Sequence, residues 1–219
     1  MPRPTLHPPD AILDAARSVV LRTGARSATV EAIAEESGAP VGSLYHRFAS
    51  RDELLARLWI RAAQRSQRAL IAAARRERDA LEAAVGAAVA LCDFAISNPE
   101  DARLLVSIRL SDLLAGEPSL AIAEELHELN RPLGEIYGEL ARRLYGSARS
   151  APRRRVDYAC GDLPIATITR RLRRGERLTA GDREMLETAV RAVLEAGFES
   201  RAAASEGGRR RGGAPTEEA

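Results

Sequence analysis

The stretch Thr29–Arg51, TVEAIAEESGAPVGSLYHRFASR, decides how the rest of the chain is read. Thr29 is a good helix N-cap, and Glu31 puts a carboxylate in the first turn, where the helix dipole favours it. Val30, Ile33 and Ala34 give the short helix one apolar face. Gly38 stands where that helix must stop and the backbone turn left-handed, and Pro40 opens another with its φ already set. Val41, Leu44, Tyr45 and Phe48 recur at helical spacing, while Gly42, Ser43, His46 and Arg47 make a small, hydrogen-bonding opposite face. Two short helices around a glycine turn form a helix-turn-helix, whose second helix can enter the major groove of DNA.

The run IAEESGAPVGSLYHRFASRDELL also resembles the DNA-binding signature of the TetR family of one-component regulators. Its elements are Ile33-Ala34, the turn glycine Gly38, Gly42-Ser43-Leu44-Tyr45-His46-Arg47-Phe48, then Ser50-Arg51-Asp52-Glu53 before Leu54-Leu55. The match covers about the first 60 residues. It departs from the family at Pro40, where Ser or Thr is common, and at Arg51, where Lys is commoner. The resemblance implies a dimeric, all-α regulator, a repressor by preference, that reads a palindromic operator and is released by a small-molecule effector. By motif position, Gly42, Ser43 and His46 would approach base edges, and Pro40 and Val41 would touch thymine methyls. Thr29, Tyr45, Arg47 and Arg51 would sit on phosphates. An activator, a constitutive DNA binder, or a helical enzyme or scaffold keeping this head remain the alternatives.

Working outward, residues 1–9 read as a flexible, Pro-rich arm, in which Arg3 is a candidate for a minor groove. A helix from about Asp10 to Thr23 carries Ile12, Ala15, Ala16, Val19 and Val20 on one face and ends at Gly24. It completes a DNA-binding domain over 10–50, with a core of Ile12, Val20, Ile33, Leu44 and Phe48. Ser50 and Glu53 form a capping box that starts a long helix reaching about Arg76. That helix would link the head to an effector-binding and dimerisation body over 51–199.

Five more helices are expected, about nine in all: from about Asp79 to Ser97, from Pro99 to near Gly116, from Pro118 to about Tyr145 with a kink at Pro132, from Pro152 to about Arg174 with interruptions at Gly161 and Pro164, and from Thr179 to about 199. The last two are the candidate dimer surface, with Ala189, Ala192, Ala196 and Gly197 allowing close approach. No window alternates with period two, so no sheet is expected. The tail 200–219 is low in complexity and reads as disordered.

Composition is that of an ordinary soluble protein, 45% hydrophobic and 29% charged, with no stretch read as a membrane span. The polar N-terminus does not read as a secretory signal, so the cytoplasm is expected. A net charge of +2 is too small to announce a nucleic-acid partner by itself. An excess of arginines over residues 51–78 follows the motif, where it would help hold phosphates or simply line a solvated helix face. Cys92 and Cys160 read as small buried hydrophobes, not a disulfide. Neither a catalytic constellation, a cofactor motif nor a metal site is called for. Glu124 and His127 form a single Glu-x-x-His without the second copy that a di-iron bundle needs. The resemblance implies an effector cavity between helices four to seven, for which Trp59, Cys92, Phe94, Leu105, Ile108, Leu126, His127 and Tyr137 are the candidate lining. These imply an apolar effector with one or two polar handles.

Overall fold

The computed structural model describes residues 8–115 and 119–211; the arm with Arg3 and His7, Gly116–Pro118 and the end from Gly212 lie outside them. The described residues form twelve α-helical segments and no strand. The head is α1 (Pro9–Thr23), α2 (Val30–Ser37) and α3 (Val41–Arg47). Thr29 Oγ1 accepts from the Ala32 amide at 3.2 Å, and Gly38 closes α2 in the left-handed region at φ 65°. Ile12, Val20, Ile33, Leu44 and Phe48 are buried together, as their spacing requires. Burying each large aliphatic side chain stabilises the head by roughly 1.5–3 kcal/mol.

The long helix α4 (Arg51–Arg76) starts at Ser50, whose hydroxyl accepts from the Glu53 amide at 3.0 Å. The Glu53 carboxylate does not complete a capping box; it lies 4.0 Å from Arg57. Next comes α5 (Ala80–Ser97), capped by Asp79, whose carboxylate accepts from the amides of Leu81 and Glu82 at 2.9 Å each. Contrary to the expectation of no membrane-like stretch, α5 is long and apolar enough to cross a membrane, at a mean hydropathy of 1.7 over 18 residues. Its apolarity has another cause. Packed by α4, α6, α9, α11 and α12, it has half of that stretch buried inside the fold.

Two expected helices are each divided. Residues 99–116 yield α6 (Pro99–Ser107) and α7 (Leu110–Ala115), because Ile108 turns extended and its carbonyl accepts from Trp59 Nε1 at 3.2 Å. Residues 118–145 yield α8 (Leu120–Glu128) and α9 (Arg131–Tyr145). Pro132 lies in the first turn of α9, where a missing amide costs nothing, so the chain restarts there instead of kinking.

Interruption at Gly161 and Pro164 takes the form of a π-turn (Tyr158–Asp162) between α10 (Ser150–Asp157) and α11 (Leu163–Arg173). Pro164 has no amide to reach back to the Cys160 carbonyl, and Tyr137 donates its hydroxyl to that oxygen at 3.1 Å. Lastly, α12 (Ala180–Arg211) is capped by Thr179 and Asp182, each accepting from the other's amide. It continues past the end expected near residue 200, through the helix-favouring run Ala202–Ala204.

The buried residues fall into two cores. One joins the head to the first half of α4 and to α6, α7 and α8. The other joins the second half of α4 to α5 and α9 through α12. The head therefore shares its core with part of the body, and residue 50 is not a break in packing. Cys92 and Cys160 are free and fully buried in the second core, and burial pushes their thiols up to about 11 and about 12.

Candidate nucleic-acid interface and ligand cavity

Leu44 and Phe48 anchor α3, at 1% and 6% exposed, while Val41 and Tyr45 from the same stripe stand out at 37% and 51%. The apolar stripe read from the sequence thus divides between core and outer face. Pro40, Gly42 and His46 are exposed beside them, and Ser43 and Arg47 are half-buried. A side chain built on Gly42 would meet no atom within 4 Å, and its φ is ordinary. Nothing inside the fold requires glycine there. Only a close approach from outside would. Among the described residues no carboxylate pairs with His46 or Arg47.

The arginines of α4 behave differently. Arg51, expected at a phosphate, turns into the head: Nε donates to the Ala28 carbonyl at 2.6 Å, and Nη2 to Arg26 at 3.2 Å and to Ala25. Its Nη1 meets Asp52 at 2.8 Å. This pins the α1–α2 loop to the start of α4. Arg57 pairs with Glu125 of α8, and Arg61 with Asp10 and Asp14 of α1 at 3.0 and 2.7 Å. Arg65 reaches Asp101 of α6 at 3.1 Å, and Arg17 of α1 reaches the same carboxylate at 2.6 Å. At 3% exposed, Asp101 is a buried clasp between head, α4 and α6. These four arginines of α4 tie helices together, while Arg68, Arg75 and Arg76 of the same helix are exposed, as a solvated face requires. Acids such as Glu100 and Asp101 in a helix's first turn gave no sign of these ties.

A cavity of about 260 Å³ lies at the seam of the two cores. Of the eight residues expected to line it, Trp59, Phe94, Leu105 and Tyr137 do. Cys92 faces the second core instead, and Leu126 the first. Ile108 is buried and offers the Trp59 indole its carbonyl, and His127 is exposed with Nδ1 2.7 Å from the Ala123 carbonyl. The missing wall comes from α11, through Ile165, Ile168 and Thr169, and from α6, through Ala102 and Val106. Their helical spacing is visible in the sequence, which offers this helix as a candidate dimer surface. Gln67, buried in α4, donates its amide to Asn130 at 3.2 Å on the same wall.

The face of α11 and α12 turned from the body exposes Met185, at 67%, beside a groove lined by Ala166, Thr167, Leu186 and Ala189, while Ile165, at 58%, stands at the cavity instead. Gly197 does not belong to it. A Cβ there would come within 2.7 Å of the Tyr145 ring, so this glycine serves packing within the chain.

Residues 12–58 match the family model described as bacterial regulatory proteins, tetR family. No curated protein matches the chain. Among solved structures, a protein described as a tetR family transcription regulator, from Shewanella sp. PV-4, is 22% identical, with 83% of this chain and 95% of that one covered and a TM-score of 0.64. The fatty acid degradation regulator FadR from Bacillus halodurans is 18% identical, covering 84% and 96%, with a TM-score of 0.65. FadR from Bacillus subtilis, solved in complex with stearoyl-CoA, is 16% identical, covering 86% and 98%, with a TM-score of 0.64. The segment 12–58 is accordingly a TetR-family DNA-binding head, carried on a body with the fold of solved TetR-family transcription regulators.

Proposed function

We propose that the protein is a repressor that binds a palindromic operator as a homodimer and leaves it when a small apolar molecule fills the seam cavity. The observation that carries the DNA reading is the outer face of α3, where Gly42 opens onto space and unpaired His46 and Arg47 flank exposed Val41 and Tyr45. Gly42, Ser43 and His46 address base edges there, Pro40 and Val41 thymine methyls, and Thr29, Tyr45 and Arg47 phosphates. Arg51 serves by holding the α1–α2 loop in place. The dimer forms through the outer faces of α10, α11 and α12, which supports two heads related by a two-fold axis.

The ligand complex of the Bacillus subtilis neighbour supports reading the body as a sensor. Release follows from where the cavity lies. Ala102, Leu105 and Val106 of α6 line it, and Asp101 on the same helix holds Arg17 of the head. A ligand that widens the seam moves α6, and α6 carries the head with it. Such a ligand favours a head spacing that fits the operator poorly, by its own difference in affinity for the two states.

Selection of bound duplexes from a random library tests this. An enriched inverted repeat with half-sites about 10 base pairs or a multiple apart is expected. Enrichment of no sequence, or of single half-sites bound by monomers, would refute it.

A further inference from the structure

Resting on the seam cavity as the effector site, we infer that its ligand is uncharged: a small, mainly hydrocarbon molecule with one neutral hydrogen-bonding group, received by the Gln67–Asn130 amide pair. No lining residue carries a charge. A carboxylate, phosphate or ammonium inside would lose its water with no countercharge to replace it. The outer groove between α11 and α12 is different, with Arg170, Arg171, Arg174 and Asp182 along it.

Most polar groups on the cavity wall are already engaged. Trp59 Nε1 donates to the Ile108 carbonyl at 3.2 Å, Ser66 Oγ to Ala63 at 2.8 Å, and Tyr137 Oη to Cys160 at 3.1 Å. Burial also holds the Tyr137 phenol protonated far above neutral pH. What remains is the amide pair and the hydroxyl of Thr169. The single bond between Gln67 and Asn130 uses one donor and one acceptor, leaving a carbonyl on one and an NH2 on the other. This persists whichever way the two amides face. An amide, alcohol or ketone satisfies such a pair, and an ion does not. At about 30 Å³ for a water-sized group, the cavity takes a ligand of roughly ten non-hydrogen atoms.

Octanol, octanamide, octanoate and octylammonium share a chain and differ in charge, so they are the probes. The single tryptophan lines the cavity, so its fluorescence reports filling, with melting temperature as a second readout. Octanol and octanamide are expected to bind about tenfold or more tightly than either ion at neutral pH. Gln67→Leu should weaken octanamide about tenfold. Should that variant misfold, Asn130→Ala removes the other half of the pair from an exposed position and should act in the same direction. Octanoate or octylammonium binding within about threefold of octanamide would overturn the uncharged ligand while leaving the cavity as a ligand site. If none of the four alters Trp59 emission in folded, DNA-binding protein, both this inference and the effector reading fail, and the DNA-binding head is untouched.

Discussion

Two of the surfaces on which this protein leaves apolar side chains in water differ in what surrounds them. On α3, Val41 and Tyr45 stand beside Gly42, His46 and Arg47, and no acid neutralises the two bases. On α11 and α12, Met185 stands beside a groove along which Arg171 is paired with acids, while Arg170 and Arg174 meet no carboxylate among the described residues. Arg183 meets Asp93 at 2.9 Å, Arg191 grips Glu82 at 2.6 and 3.0 Å, and Arg171 binds Asp182 and Glu176. Exposed carbon beside unpaired bases suits a polyanion, whose phosphates supply the missing charge. Exposed carbon among charges that are mostly paired within the chain suits another protein surface. The same solvent-facing hydrophobicity thus points to two different partners.

The sharpest way to break this contrast is to fill the space over Gly42. Gly42→Trp should cost roughly a hundredfold in operator affinity, about 2.7 kcal/mol, because its ring would stand where DNA must approach. Melting temperature should not move, since nothing within the chain lies in that space. A variant that binds normally would remove α3 from the interface.

Arg51 sharpens the boundary of that face. Removing it leaves the carbonyls of Ala25, Arg26 and Ala28 without their donor. Arg51→Ala should destabilise the fold by about 2 kcal/mol in denaturant unfolding, with the DNA salt dependence unchanged. A shallower salt slope with full stability would return Arg51 to the phosphates. For Arg47 the opposite is expected: Arg47→Ala should lower the slope of log affinity against log salt by about 1 and leave stability alone.

The second surface is tested by charge. Met185→Asp with Ala192→Asp puts two carboxylates on the exposed side of α12 and should weaken dimerisation about tenfold or more by light scattering. An unchanged dimer would move the interface elsewhere.

The head was legible in the sequence because its determinants are local. Thr29, Gly38 and Ser50 each act within about four residues, and Leu44 and Phe48 lie one turn apart. What could not be read has partners far along the chain. The break after Ser107 depends on Trp59, 49 positions away, and Arg51 reaches back to the loop at 25–28. On α12, apolar residues at both i+3 and i+4 blur two adjacent faces in the sequence. In the structure Leu186, Val190 and Leu194 face inward while Met185 does not. The cavity was half visible for the same reason. Trp59, Phe94, Leu105 and Tyr137 are large enough to stand out, but the α11 wall is placed by the π-turn, a feature of packing around Pro164 and Tyr137.

The smallest effect concerns how firmly the second surface is held to the body. Asp182 is buried at the start of α12, and burial alone would raise its pKa. Hydrogen bonds from Thr179 and Arg171 outweigh that and hold it below the usual carboxylate value. A carboxylate depressed in the folded state stabilises the fold at pH values above its unfolded pKa, near 3.9, and stops doing so as pH falls through its folded pKa. Asp182→Asn should therefore cost about 1 kcal/mol at neutral pH, since the amide still caps the helix but no longer pairs with Arg171. The difference from the parent protein should shrink steadily below about pH 4. Denaturant unfolding at pH 7, 5 and 3.5 measures it. A gap that stays constant across the series would mean that the carboxylate contributes through shape alone, and that the paired charges around α12 are not what keeps its outer face in register.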